Sequence, residues 1–158
     1  MSHDPRVLRG LRDIHERRWF EAHEELELAW REAQGEQRQF LQGLIQGAVA
    51  LEHLRRGNPR GARGQWDKAR AKLAPLPAEL DGVHVGAWIQ ALDAFYAAIE
   101  LEERSRRHVA REPMDGLPAL PPVERWPLPE YGPELLAAMA KEAPHPAGAA
   151  AASRSGHG

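Results

Sequence analysis

The sequence predicts an all-α protein: a compact helical bundle of about five helices, followed by a Pro-rich extended C-terminal arm. Three observations carry this. Apolar residues recur at spacings of three and four, the period of a helix with one buried face. Strand patterning is missing: Thr is absent, Val and Ile are few, and nowhere do β-branched and polar residues alternate. Helix-ending signals separate the periodic stretches, above all at Gly57-Asn58-Pro59. There a left-handed glycine, an N-cap and a first-turn proline follow one another. The length of 158 residues fits one bundle over 1–112, an arm over 113–142 with a short helix, and a disordered tail over 143–158.

Asp4 and Pro5 supply the cap and first turn of a helix expected to run to about Arg18. Val7, Leu8, Leu11 and Ile14 form its apolar stripe, with His15 at the boundary. Residues 19–33 contain no Gly or Pro and make the second helix. On a helical wheel Trp19, Ala22, Leu26, Ala29 and Trp30 share an arc, and Phe20 lies at its edge. Glu21, Glu25 and Glu32 fall on the side expected to be solvated. His23 and Glu27 are four apart and land between Trp30 and Phe20, with Glu24 at the margin. A carboxylate flanked by aromatic rings needs a partner, because an unpaired buried charge costs several kcal/mol. His23 is within reach, so the plainest reading is that the two satisfy each other and fix the packing.

The third helix, over 37–56, is apolar almost all round, which places it at the centre of the bundle. It is too short and too often interrupted by polar residues to span a membrane. Gln42, Gln46 and His53 form a polar stripe on it, expected to face His23 and Glu27. Gly43 and Gly47 lie beside that stripe and leave room for a neighbouring helix to approach closely. Pro59 opens a fourth helix to Leu73, with Ala62, Trp66, Ala69 and Leu73 facing in. Pro75 and Pro77 end it. A fifth helix is expected from about Asp81 to Arg107, carrying Val85, Trp88, Ile89, Leu92, Phe95, Tyr96 and Ile99. Its basic end includes Arg104, Arg106, Arg107, His108 and Arg111. In the arm, Leu117, Leu120, Val123, Trp126, Leu128 and Tyr131 are spaced among prolines. Such anchors suit packing along the bundle, or along a second subunit of a homo-oligomer. Pro133 to Lys141 can form a short helix.

The pattern Phe20, Glu21, His23, Glu24, Leu26, Glu27 and Trp30, continued by Phe40, Leu41, Gln42, Gly43, Leu44, Ile45, Gln46, Ala48, Val49, His53, Gly57 and Asn58, resembles a prokaryotic family known as domain of unknown function 309. The resemblance covers about residues 12–74. It implies a small, compact, all-helical domain and assigns no activity.

The net charge of −2 gives no overall preference for polyanions or membranes. With no Cys there is neither disulfide nor thiol chemistry, and with no apolar leader a cytoplasmic location is the expectation. Three functional readings remain. The first is a polar site of His23, Glu24, Glu27, Gln46 and His53, flanked by Phe20 and Trp30. It would bind a small ligand or a divalent metal, with His23, Glu27 and His53 as a two-His, one-carboxylate ligand set. The spacing matches neither the His-Glu-x-x-His zinc signature nor the paired Glu-x-x-His of di-iron bundles, so no reaction follows. The second is a protein-interaction module without catalytic activity, suggested by the Gly-Asn-Pro helical hairpin. The third, ranked last, is nucleic-acid or phosphate binding. Seven basic residues face one acid between Arg55 and Lys72, but no aromatic platform lies among them.

Overall fold

The computed structural model describes residues 4–110 and 120–142, with side chains over 4–104 and 120–142. The tail over 143–158, Leu117, and the basic side chains Arg106, Arg107, His108 and Arg111 lie outside the described residues. Six α-helices follow in order: α1 Pro5–His15, α2 Trp19–Glu32, α3 Gly35–Arg55, α4 Pro59–Leu73, α5 Val85–Ala110 and α6 Pro133–Lys141. Among the described residues there is no strand, only isolated bridges joining Val83 to Leu80 and to Tyr131. No described helix is long and apolar enough to cross a membrane.

Local signals set the starts of α1 and α4. The Asp4 carboxylate accepts from the Arg6 amide at 2.9 Å ahead of Pro5, and the Asn58 Oδ1 accepts from the Gly61 amide at 2.9 Å ahead of Pro59. Two boundaries differ from expectation. α1 stops at His15, short of Arg18, because Arg17 adopts a left-handed φ of 61° that no helix continues through. α5 begins at Val85, past Asp81, because Asp81 and Gly82 both take positive φ. Their turn is closed by paired Leu80 and Val83 backbone hydrogen bonds of 3.0 and 2.9 Å.

Each helix from α1 to α4 packs on its successor, α6 packs on α1, and α3 lies between α2 and α4. Phe40, Leu44, Ala48 and Leu51 of α3 are wholly buried. Gly43 gives its missing side-chain space to Leu73 of α4, and Gly47 gives it to the Trp88 ring of α5. Residues 120–142 lie on the bundle of the same chain. Trp126 stacks on Trp19 at 5.3 Å, the Tyr131 hydroxyl donates to the Leu11 carbonyl at 3.1 Å, and Leu135 and Met139 of α6 are buried.

One expected face is reversed. Glu25 is not solvated but only 9% exposed, because α1 packs along that side of α2. Its carboxylate meets Arg9 of α1 at 3.3 Å, and Arg9 also reaches Glu142 beyond α6 at 2.9 Å. Asp13, on the same side of α1, is 2% exposed.

Candidate functional site

α2 and α3 border a half-open cavity of about 230 Å³. Trp19, Phe20 and His23 line it from α2. Val49, Glu52 and His53 line it from α3, and Arg56 lines it from the C-cap of that helix. Two of the five residues expected to converge, His23 and His53, therefore share one space, and Phe20 flanks them. The other three do not line it. Glu24 is exposed on α2. Gln46, two turns before His53, has a buried Oε1 that accepts no hydrogen bond. Glu27 is turned along its own helix, between His23 at 3.3 Å and Arg31 at 3.3 Å. Trp30 lies beneath the Arg38 guanidinium, 4.0 Å from its ring centre.

This disposition gives the expected metal site no support. Among the described residues no group of three or more His, Cys, Asp or Glu side chains is placed to hold a metal ion. His23, Glu27 and His53 do not form such a set, since Glu27 is one turn beyond the cavity and engaged with Arg31. Nor is the His23–Glu27 pair deeply buried: their side chains are 32% and 35% exposed.

In their neutral forms the contacts of the two imidazoles suit complementary tautomers. Asn58 uses its Oδ1 to cap α4, so its Nδ2 is the atom facing His53 Nδ1, at 3.3 Å. An amide nitrogen only donates, so His53 Nδ1 accepts and the ring hydrogen sits on Nε2. His23 faces the Glu27 carboxylate through Nε2. A carboxylate only accepts, so this nitrogen carries the hydrogen and Nδ1 keeps a lone pair in the neutral ring. One histidine thus retains a donor and the other an acceptor. The Gly-Asn-Pro turn announced the Asn58 cap, but its second role on His53 needed the fold.

The carboxylate in the cavity is Glu52, which the wheel had left unremarked. Burial pushes its pKa up, but hydrogen bonds from Arg55 at 2.6 Å and Arg56 at 2.8 Å outweigh this and hold it below its ordinary value. Arg56 in turn stands 5.9 Å from the Phe20 ring centre. The wall is therefore aromatic and aliphatic, with a fixed ion cluster at one end.

Four of the seven basic residues from Arg55 to Lys72 meet carboxylates of the chain itself. Arg55 and Arg56 hold Glu52, Arg63 meets Asp67 and Glu100, and Arg70 meets Asp93 at 2.8 Å. Asp93 also accepts from the Trp66 indole at 3.0 Å. The contacts of Arg63 with Glu100, and of Arg70 and Trp66 with Asp93, tie α4 to α5.

The family model described as Domain of unknown function (DUF309) matches residues 7–65. Over that segment, the chain is similar to this family. The match runs from α1 into α4 and so takes in every residue lining the cavity. No curated protein and no solved structure matches the chain.

Proposed function

We propose that the DUF309 segment binds a small organic molecule in the cavity between α2 and α3. The observation that supports this reading is that His23 and His53, from separate helices, line one mostly apolar space while keeping opposite hydrogen-bonding capacities. A ligand suited to it has a flat or aliphatic body for Trp19, Phe20 and Val49. It also carries a hydroxyl, which accepts from His53 Nε2 and donates to His23 Nδ1. Phenols are the simplest molecules of that description.

Titration with phenol, followed through the histidine ring resonances, tests the proposal. The expected result is a saturable shift of both His23 and His53. Affinity should fall about tenfold on His23→Ala or His53→Ala, the worth of one hydrogen bond of about 1.4 kcal/mol. Anisole, which cannot donate, should bind more weakly. Rings that stay unmoved by phenol, or binding that survives both substitutions, would overturn the reading.

A further inference from the structure

We propose that Asn58, seated by Gly61, sets which ligands the α2–α3 cavity accepts, by making His53 a hydrogen-bond donor there. The inference rests on the reading of that cavity as a ligand site and names what selects its hydroxyl ligand. Asn58 is not among the residues lining the cavity. It is a positioning residue and acts through the imidazole.

The turn after α3 fixes Asn58 against His53 through both backbone and side chain. Gly57 takes a φ of 83°, the left-handed conformation that reverses a chain at a helix end. The reversal lets the Asn58 backbone N–H donate to the His53 carbonyl at 2.8 Å. The side chain is held as well, since its Oδ1 accepts from the Gly61 backbone at 2.9 Å. With the oxygen so engaged, the amide turns its nitrogen to His53 Nδ1, 3.3 Å away. The cap of α4 and the contact with the imidazole are therefore a single constraint.

Gly61 supplies the room. It lies in the first turn of α4 and is not among the glycines with positive φ, so its backbone makes no demand for glycine. Glycine is otherwise a poor choice inside a helix. What calls for it is the Asn58 side chain, because a Cβ at Gly61 would run into the amide. The nitrogen that faces His53 is the atom such a Cβ meets first. An ordinary N-cap needs only the side-chain oxygen. A glycine that clears space for the nitrogen points to a use for the nitrogen.

With Asn58 donating to Nδ1, neutral His53 carries its hydrogen on Nε2 and offers a donor, opposite the acceptor of His23. A hydroxyl accepts one hydrogen bond and donates another, so it fits this pair. Asn58→Asp reverses the arrangement. A carboxylate only accepts, so the ring hydrogen moves to Nδ1 and Nε2 becomes a second acceptor. Two acceptors suit an amino group that donates twice.

The test reads the ring-nitrogen resonances of His53 in the full chain, first without ligand and then with phenol or aniline. It is run at about pH 8.5, two units above the usual histidine value. The hydrogen should sit on Nε2 in the parent and on Nδ1 in Asn58→Asp, and be divided between them in Asn58→Ser and Gly61→Ala. Phenol affinity should fall about tenfold in Asn58→Asp while aniline affinity rises, so that the preference between the two inverts. Asp and Ser cap a helix about as well as Asn, so both Asn58 variants should melt close to the parent temperature. Lost phenol binding there cannot then be blamed on unfolding. The proposal is overturned if the His53 hydrogen occupies the same nitrogen in the parent and Asn58→Asp, or if it moves and the ligand preference does not. Phenol that fails to bind the parent overturns the ligand-site reading and this inference with it. Phenol bound by the parent and by Asn58→Asp alike, with the His53 hydrogen unmoved, overturns this inference alone.

Discussion

At the scale of single residues, the most displaced carboxyl among the described residues is Asp13, outside the α2–α3 cavity. Burial pushes its pKa up to about 7. Arg18 at 3.9 Å opposes the rise, while Glu21, Glu25 and Glu16 add to it. Its ordinary value is 3.8, so between that pH and about 7 the folded chain holds a proton that the unfolded chain has released. Stability from this group is complete below the unfolded value and is lost as pH rises through the folded one. Asp13→Asn should abolish that slope. Urea unfolding at pH 8 should show the variant more stable than the parent by about 1–3 kcal/mol, with the difference vanishing near pH 4. An undiminished slope would mean that Asp13 is not the group responsible. Neither Asp13 nor Glu25 was legible as buried, because a wheel drawn for one helix shows only which residues are apolar. The apolar residues of α1 and α2 face each other at an angle that also covers part of each polar flank.

At the scale of elements, glycines in neighbouring helices have opposite meanings. Gly43 of α3 and Gly64 of α4 are both helical. A methyl group at Gly43 runs into the buried Leu73 side chain, whereas one at Gly64 meets nothing within 4 Å. Gly64→Ala should therefore stabilise the protein by about 0.5–1 kcal/mol through helix propensity alone. Gly43→Ala has the same intrinsic gain but must displace Leu73, and overpacking of that kind costs about 1–3 kcal/mol. Denaturant midpoints should move in opposite directions for the two variants. If both rise, α3 and α4 are less tightly packed than described. The sequence did place Gly43 and Gly47 beside a close approach, since small residues in an otherwise greasy helix have few other uses. It did not say which helices come close, because that depends on the crossing geometry of α4 and α5.

At the scale of the whole molecule, the question is what residues 120–142 contribute. Trp126 is 2% exposed, stacks on Trp19, tilts against Phe95 at 5.7 Å, and donates its indole hydrogen to the Pro121 carbonyl at 2.8 Å. The Arg17 guanidinium donates to the Glu124 carbonyl at 2.6 Å, and that of Arg12 to the Glu142 carbonyl at 2.8 Å. Trp19 also lines the α2–α3 cavity, so this segment supports the back of that wall. Trp126→Ala should destabilise the chain by about 3–5 kcal/mol, the usual loss for a buried tryptophan. It should also expose residues 120–142 to limited proteolysis under conditions where the parent resists. A variant that keeps both stability and resistance would show that this segment is not part of the packed unit.

Helix formation and the turn chemistry were settled by the chain's own local order: the three-and-four period, the caps Asp4 and Asn58, and the proline stops act over a few residues and need no distant partner. His23 and His53 belonged to the same space only once α2 and α3 had been set at a particular rotation. The same rotation left Glu27 on the rim with Arg31 and brought Glu52 inside. Which polar atoms meet is a matter of how helices are turned and crossed, and that is decided by the fit of many side chains at once rather than by any stretch of sequence alone.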